Sequence, residues 1–441
     1  MKSASRLTVI EISSRRSAGT LVILMDRLAF ASFVVLLMFG PMAFGAVEAW
    51  PQFTLRTAAA LLLLLWVARQ LLDERITVIW SSIFVPVSLF GLLVIAQSFV
   101  FSAYGPVTIA ETLNYCSYGM MLFLAVQIVR SDSDALWFAR ALAMFGFLLA
   151  CFAIVQNLSA PGMLYWVRRP LHGGAVYGPY VNRNHYAGLM EMIFPIPLVM
   201  GLQVDDVVGK KLIWMFCAIV IVGSIALSQS RGGMLAALVE IVALSIYIGR
   251  SHRRLALVIV AVVVLTASFV LVSERDNVLS RFGELGSRER LTIAKDGLRM
   301  FAKHPFLGWG LGTFPTVYPG FRSFYTDLWV NEAHNDYLQV LIETGAVGFA
   351  AVLAFLVLLY RTGSRHLRHW RNSPLAALRL AALTGCTGIL VHSFIDFNLH
   401  VPANATLFYV LCGISAGAGA IDRRHPADGS FSVRRAPRTL Q

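Results

Sequence analysis

Stretches of about 20 apolar residues, long enough to cross a hydrocarbon layer about 30 Å thick, recur along almost the whole chain and constrain its fold more than any other feature. Twelve such stretches can be read, at residues 28–47, 53–72, 78–101, 109–129, 135–158, 184–202, 211–229, 233–249, 255–273, 337–360, 375–396 and 401–421. The seventh and eighth are divided where Ser228-Gln229-Ser230-Arg231-Gly232-Gly233 interrupts one long apolar run. A chain that is 57% hydrophobic and only 14% charged has too little polar surface for a soluble fold. The expectation is an all-α polytopic membrane protein of about twelve helices. It divides into an inner N-terminal segment (1–27), helices 1–9 (28–273), a large outer loop (274–336), helices 10–12 (337–421) and a basic inner tail (422–441). The first apolar run is itself long enough to span, so we expect a retained anchor and no cleaved signal peptide.

The net charge of +13 does not indicate a nucleic-acid partner. With the N-terminus inside, the short inner connections carry Arg69 and Arg75, Arg130, Lys210 and Lys211, Arg250, Arg253 and Arg254, and four arginines from Arg361 to Arg371. This bias encodes orientation, because basic residues are retained on the cytoplasmic side. All five cysteines fall inside apolar stretches, so they are expected as small packing residues, without metal-ligand spacing or an outer disulfide pair.

In this topology only residues 159–183 and 274–336 form outer segments of any size. Polar chemistry at a membrane boundary needs protein-lined, water-accessible ground, so the candidates lie in these segments and the adjoining helix ends. His334 stands at the rim of the tenth stretch in Asn331-Glu332-Ala333-His334-Asn335-Asp336. Its side chain is the one that exchanges a proton near neutrality. Arg231 offers a planar, permanently charged fork that suits phosphate oxygens, beside glycines that leave the backbone open. Its bland alternative is an arginine snorkelling to the interface. Asn182-Arg183-Asn184-His185 opens the sixth stretch, with Asn182 and Asn184 as expected caps and Arg183 and His185 facing an outer cavity. Asp396 closes the eleventh stretch, placed to pair with an arginine or orient a histidine. Within the long loop, Leu291, Ala294, Leu298 and Phe301 recur at helical spacing and predict an amphipathic helix from about Arg288 to Lys303, ended by His304-Pro305. Its five basic against two acidic residues suit anionic head groups or a lipid-linked phosphate. Glu111, Glu191, Glu240 and Glu343 read as packing or helix-end residues.

Taken together, Arg231 with Leu235, the segment from Arg290 through His304-Pro305-Phe306-Leu307-Gly308-Trp309-Gly310, and His334-Asn335 with Gly345 and Gly348 resemble the O-antigen ligase and polymerase superfamily of bacterial envelope glycan enzymes. The family's histidine signature is a His, then Asn, Ser or Gln, nine residues, a Gly, two residues, then Gly, Thr or Tyr. His334, Asn335, Gly345 and Gly348 meet each position. The resemblance implies a metal-independent glycosyltransferase at the periplasmic face of the inner membrane, with no cofactor; the basic bias puts both termini on the cytoplasmic side. Its donor is a glycan on undecaprenyl diphosphate. Its acceptor is lipid A-core in ligases, a carrier-linked repeat in polymerases, or a protein hydroxyl in related oligosaccharyltransferases. Carried over by position, the essential histidine falls on His334, one arginine on Arg231 and the loop arginine on Arg290, with Arg288 two residues away as the competing placement.

Residue chemistry runs parallel to this. A lipid diphosphate is already a good leaving group, and fixed guanidiniums hold its charge without proton transfer. A sugar hydroxyl is a weak nucleophile and needs a base within hydrogen-bond reach. The expected roles are therefore His334 as base, with Arg231, Arg290, Arg183 and Arg288 on the diphosphate. Asn335, Asn184, His185 and Asp396 support them. No covalent nucleophile stands out, so a single inverting displacement is expected; the resemblance of the histidine signature to the ligase branch implies ligase over polymerase. The reading from another class is a lipid or glycan transporter, which would move a labelled carrier across vesicles without forming a glycosidic bond.

Overall fold

The computed structural model describes residues 19–73, 76–170, 174–203, 207–249, 286–326 and 329–417, and these are helical or irregular, with only two isolated β-bridges. Among the described residues, nine α-helices precede the long loop: α1 (Thr20–Met42), α2 (Ala49–Leu72), α3 (Phe84–Ala96), α4 (Gly105–Ile128), α5 (Asp132–Ser159), α6 (Arg183–Ile193), α7 (Pro195–Gly201), α8 (Val208–Leu227) and α9 (Arg231–Gly249). α10 (Gly286–Lys303) and the short α11 (Phe314–Val317) lie in the loop. α12 (Asp336–Gly363), α13 (Pro374–His392) and α14 (Pro402–Ala416) follow. Among the described residues, eight helices are long and apolar enough to cross a membrane.

The expected stretches map onto these helices, and three differences bear on the fold. The first helix begins at Thr20, ahead of residue 28. The sixth stretch is two short helices, because Pro195 and Pro197 withdraw the amide donors that would continue α6 into α7. The last is only 15 residues long. The ninth stretch, 255–273, lies outside the described residues, as do 1–18 and the tail from 418.

Successive spans alternate in direction, α6 and α7 together making one span. At one end Ser373 Oγ donates to Asp132 (2.7 Å), Gln203 Nε2 to the Trp370 carbonyl (3.1 Å) and Ser81 Oγ to that of Ala416 (2.9 Å). At the other, Tyr165 reaches the Met42 carbonyl and Ala103 N donates to that of Trp309 (2.7 Å). α13 occupies the middle, packed on α5, α6, α7, α9 and α14. Its run of Ala376, Ala377, Ala381, Ala382, Gly385 and Gly388 lets neighbouring backbones approach closely, as small residues do in membranes.

The long loop is fastened to α12 by a break in that helix. Gly345 has φ +65° and ψ −171°, a conformation essentially restricted to glycine. The break frees backbone groups that an apolar setting requires to be bonded. The segment 305–310 bonds them: Trp309 N to the Ile342 carbonyl (3.2 Å), Gly310 N to that of Glu343 (2.9 Å), Ala346 N to that of Pro305 (2.8 Å) and Val347 N to that of Phe306 (3.2 Å). The backbones meet so closely that a Cβ on Gly345 would lie 2.3 Å from the Phe306 carbonyl, and one on Gly308 2.3 Å from that of Glu343. The buried Glu343 carboxylate then accepts from Gly312 N (2.8 Å) and Phe314 N (3.1 Å), so it organises the loop as well as packing.

α10 forms where expected, and its apolar spacing does not mark the face that packs inward. Leu291 and Leu298 are exposed, whereas Ile293, Asp296, Gly297 and Met300 are buried. Gly297 sets this rotation, since a Cβ there would meet Ile342 at 2.8 Å, and Asp296 accepts from Ser323 N (3.0 Å).

Gly345→Ala should cost about 1–3 kcal/mol from its backbone conformation alone, with the clash against Phe306 added. We expect a lower melting temperature in detergent and faster proteolysis around 304–326. Gly320→Ala, with nothing within 4 Å of the added Cβ, should leave both unchanged.

Candidate active site

The first turn of α12 holds the loop that follows α13. Asn335 is the N-cap, its Oδ1 accepting from Leu338 N (2.9 Å) while its Nδ2 donates to the Phe394 carbonyl (3.0 Å). Asp336 N donates to the Ser393 carbonyl (3.0 Å). The Asp336 carboxylate accepts from Ser393 Oγ (2.6 Å) and Leu399 N (3.2 Å) and faces His400 Nδ1 at 2.7 Å. Residues 393–400 are thereby stapled beneath His334.

His334 itself takes φ +53°, a left-handed conformation uncommon for a residue with a side chain. Its enclosed Nδ1 lies 3.7 Å from Asp396 Oδ1, an ion-pair separation longer than a hydrogen bond. The side chain remains 31% exposed, which leaves the Nε2 edge open. Asp396 also accepts from Asn184 Nδ2 (2.5 Å) and from Phe397 N (2.9 Å). Burial alone would raise the Asp396 carboxyl. The close approach of His334 and the fields of His185 and His392 outweigh it and hold the group well below the ordinary carboxylate range. Phe397 stands between the rings of His185 (4.7 Å) and His334 (5.0 Å).

The loop arginine joins the same place. Arg290 Nη1 donates to the Ile395 carbonyl (2.7 Å), one residue before Asp396, with the rest of its guanidinium exposed. The backbone of Arg288 lies in α10, but its side chain is outside the described residues. Arg231 is the first residue of α9 and is exposed. It follows a turn in which Gln229 has φ +57° and Ser230 Oγ accepts from Gly233 N (3.2 Å). The two glycines after it are needed for close approach: a Cβ on Gly232 would lie 2.3 Å from His392 Nε2, and one on Gly233 2.5 Å from Ala187 Cβ. The α9 N-terminus therefore rests directly on the end of α13 and the middle of α6. Arg183 begins α6, half-buried, its N donating to the Ala175 carbonyl (2.7 Å).

The expected residues are thus gathered at one end of the bundle, with some roles redistributed. Asn182 caps α6, accepting from Asn184 N (2.9 Å), whereas Asn184 reaches across to Asp396 and caps nothing. His185 is buried against Phe397 and does not line an open cavity. Sequence reasoning passed over two buried pairs, Glu191 with His392 (3.0 Å) and Asp336 with His400. Glu191 and the 392–400 segment were both visible as polar intrusions in apolar sequence. Their partnership joins residues 201 apart and has no local signature.

His400 gives a pH signature. Burial opposes its charge, but the Glu332 carboxylate, the hydrogen bond and charge of Asp336, and Glu343 push it up to about 10. Its unfolded value is about 6.5, so its stabilisation is complete below that pH and is lost as pH rises through about 10. His400→Gln keeps a donor for Asp336 without the charge. The melting-temperature gap between wild type and this variant should be several degrees near pH 6 and should narrow steadily toward pH 10.

No curated protein matches the chain. The family model described as O-Antigen ligase matches residues 216–353, from within α8 to the middle of α12. The match takes in Arg231, Arg290 and the whole histidine signature, while Asn184, His185 and Asp396 lie beyond it and reach the site only through the fold. Over residues 216–353 the chain is thus similar to the O-antigen ligase family.

Proposed function

We propose that this protein is a ligase-type glycosyltransferase of the bacterial inner membrane. It moves a glycan from undecaprenyl diphosphate to a lipid A-core sugar hydroxyl at the periplasmic face, without a metal ion and with inversion. The observation that carries this reading is the convergence on the 393–397 loop. His334 faces Asp396 at 3.7 Å, Asn184 bonds Asp396 at 2.5 Å, and Arg290 bonds the Ile395 carbonyl at 2.7 Å, three segments far apart in sequence.

In this mechanism Asp396 holds the Nδ1 side of the His334 ring, so that Nε2 takes the proton from the acceptor hydroxyl. The hydroxyl oxygen attacks the anomeric carbon. The bond from that carbon to the diphosphate breaks, and undecaprenyl diphosphate leaves with the electron pair. Arg231 and Arg290, with Arg183 and Arg288 alongside, bind the diphosphate as its charge develops; guanidiniums match phosphate oxygens in pairs, which an ammonium does not. In this reading 1–27 and 422–441 are cytoplasmic and 274–336 is periplasmic.

The test is a transfer assay with purified protein in nanodiscs and EDTA, offering lipid A-core or a carrier-linked repeat as acceptor. Product on lipid A-core is expected. A ladder of carrier-linked polymer would make the protein a polymerase using the same residues, and carrier flipping without a new glycosidic bond would make it a transporter. His334→Ala should lower turnover by about 10²–10⁴-fold, the scale of general base catalysis. Arg231→Lys should lose most activity despite its retained charge, and Asp396→Asn should reduce turnover with little change in donor binding. Near-normal transfer by His334→Ala at equal protein level would sink the proposed base.

A further inference from the structure

We infer that the end of the bundle opposite His334 binds the head group of an anionic glycerophospholipid from the facing leaflet. This rests on no assumption about the transfer reaction. A cavity of about 480 Å³ opens there between the start of α1, the end of α2, the end of α4 and the start of α5. Arg27, Arg69, Arg130, Asp26 and Asp134 line it, with Trp66 and Trp137 among the apolar walls.

The charges within it are unequally committed. Asp26 is bound by Arg69 Nε at 2.9 Å, and Arg69 also holds Asp73 at 3.1 Å. Asp134 closes the capping box of α5, accepting from Ser131 N (3.0 Å) and Arg130 N (3.3 Å). Arg27 is exposed and has no hydrogen-bond or ion-pair partner among the described residues. The indole N–H of Trp66 is enclosed without an acceptor. The site therefore presents the N–H donors of a guanidinium fork to its contents, while both carboxylates are occupied by protein donors. Phosphate oxygens satisfy that set.

Two features select a lipid over a free anion. Ile23, Phe30, Ile128 and Trp137 form apolar walls, and the exposed Leu24 and Leu28 continue an apolar face along α1. The cavity also sits at helix ends marked by tryptophans, the level at which head groups lie. Basic pockets between membrane helices commonly hold such head groups.

The experiment measures thermal stability of the full chain in neutral detergent while phosphatidylglycerol, phosphatidylcholine or glycerol 3-phosphate is added. Specific binding to the folded state raises the melting temperature in a saturable way. Phosphatidylglycerol should do so and the other two should not. Arg27→Gln removes no hydrogen bond or ion pair among the described residues, so its melting temperature without lipid should equal that of wild type. Its half-saturating phosphatidylglycerol should rise about tenfold, the scale of one hydrogen-bonded charge. Arg365→Gln, an exposed charge at the same end outside the cavity, should behave as wild type. Native mass spectrometry should find one retained phosphatidylglycerol in wild type and none in Arg27→Gln. Equal responses of the two variants would mean diffuse attraction and overturn the site. An equal response to glycerol 3-phosphate would make it a soluble-anion site. A response gained only on deleting residues 1–18 would make that segment the occupant.

Discussion

The break in α12 at Gly345 is the constraint on which the rest of the arrangement depends. A helix interrupted in an apolar setting must have its freed amides and carbonyls bonded elsewhere in the protein. Here a single stretch of loop, 305–310, supplies four of those partners. Because the two backbones touch, glycine is needed on both sides of the contact, at Gly345 and Gly308. Docking of this stretch fixes the end of α10, and α10 in turn carries Arg290 to the carbonyl of Ile395.

A second fastening acts on the other side of the same helix. Asn335 and Asp336 use side chains and backbone to bind 393–400, so the α12 N-terminus and the end of α13 behave as one unit. His334 is carried on this unit in a left-handed turn. The spacing of the histidine signature thereby acquires a physical sense. Asn335 caps, Gly345 breaks the helix, and Gly348 leaves room for Thr344 and Leu93, whose atoms would lie 2.2 Å and 3.1 Å from an added Cβ. The motif describes how a helix is begun and interrupted as much as it describes chemistry.

Much of this was legible beforehand, for identifiable reasons. Helix positions followed from apolar runs too long for any other use, and the α10 boundary from His304-Pro305. His334, Arg231 and Arg290 stood out because polar groups at apolar boundaries are expensive and few. Which face of α10 packs inward was not legible, because Leu291 and Leu298 outweigh Gly297 on any hydropathy scale, while packing against Ile342 is decided by the absence of a side chain. Asn184 looked like a cap beside Asn182, and only its distance to Asp396 separates the two roles.

The sequence by itself determined that the chain is a helical membrane protein, where most of its helices begin and end, and which few polar residues stand at their rims. These properties are local or compositional, set by about 20 neighbouring residues at a time. Tertiary structure alone decided which rim residues meet. The pairs Asn184 with Asp396, Glu191 with His392 and Arg290 with Ile395 join positions more than a hundred residues apart. Such pairs form only after helix packing and the Gly345 contact have fixed where each helix end lies, so no window of sequence contains them.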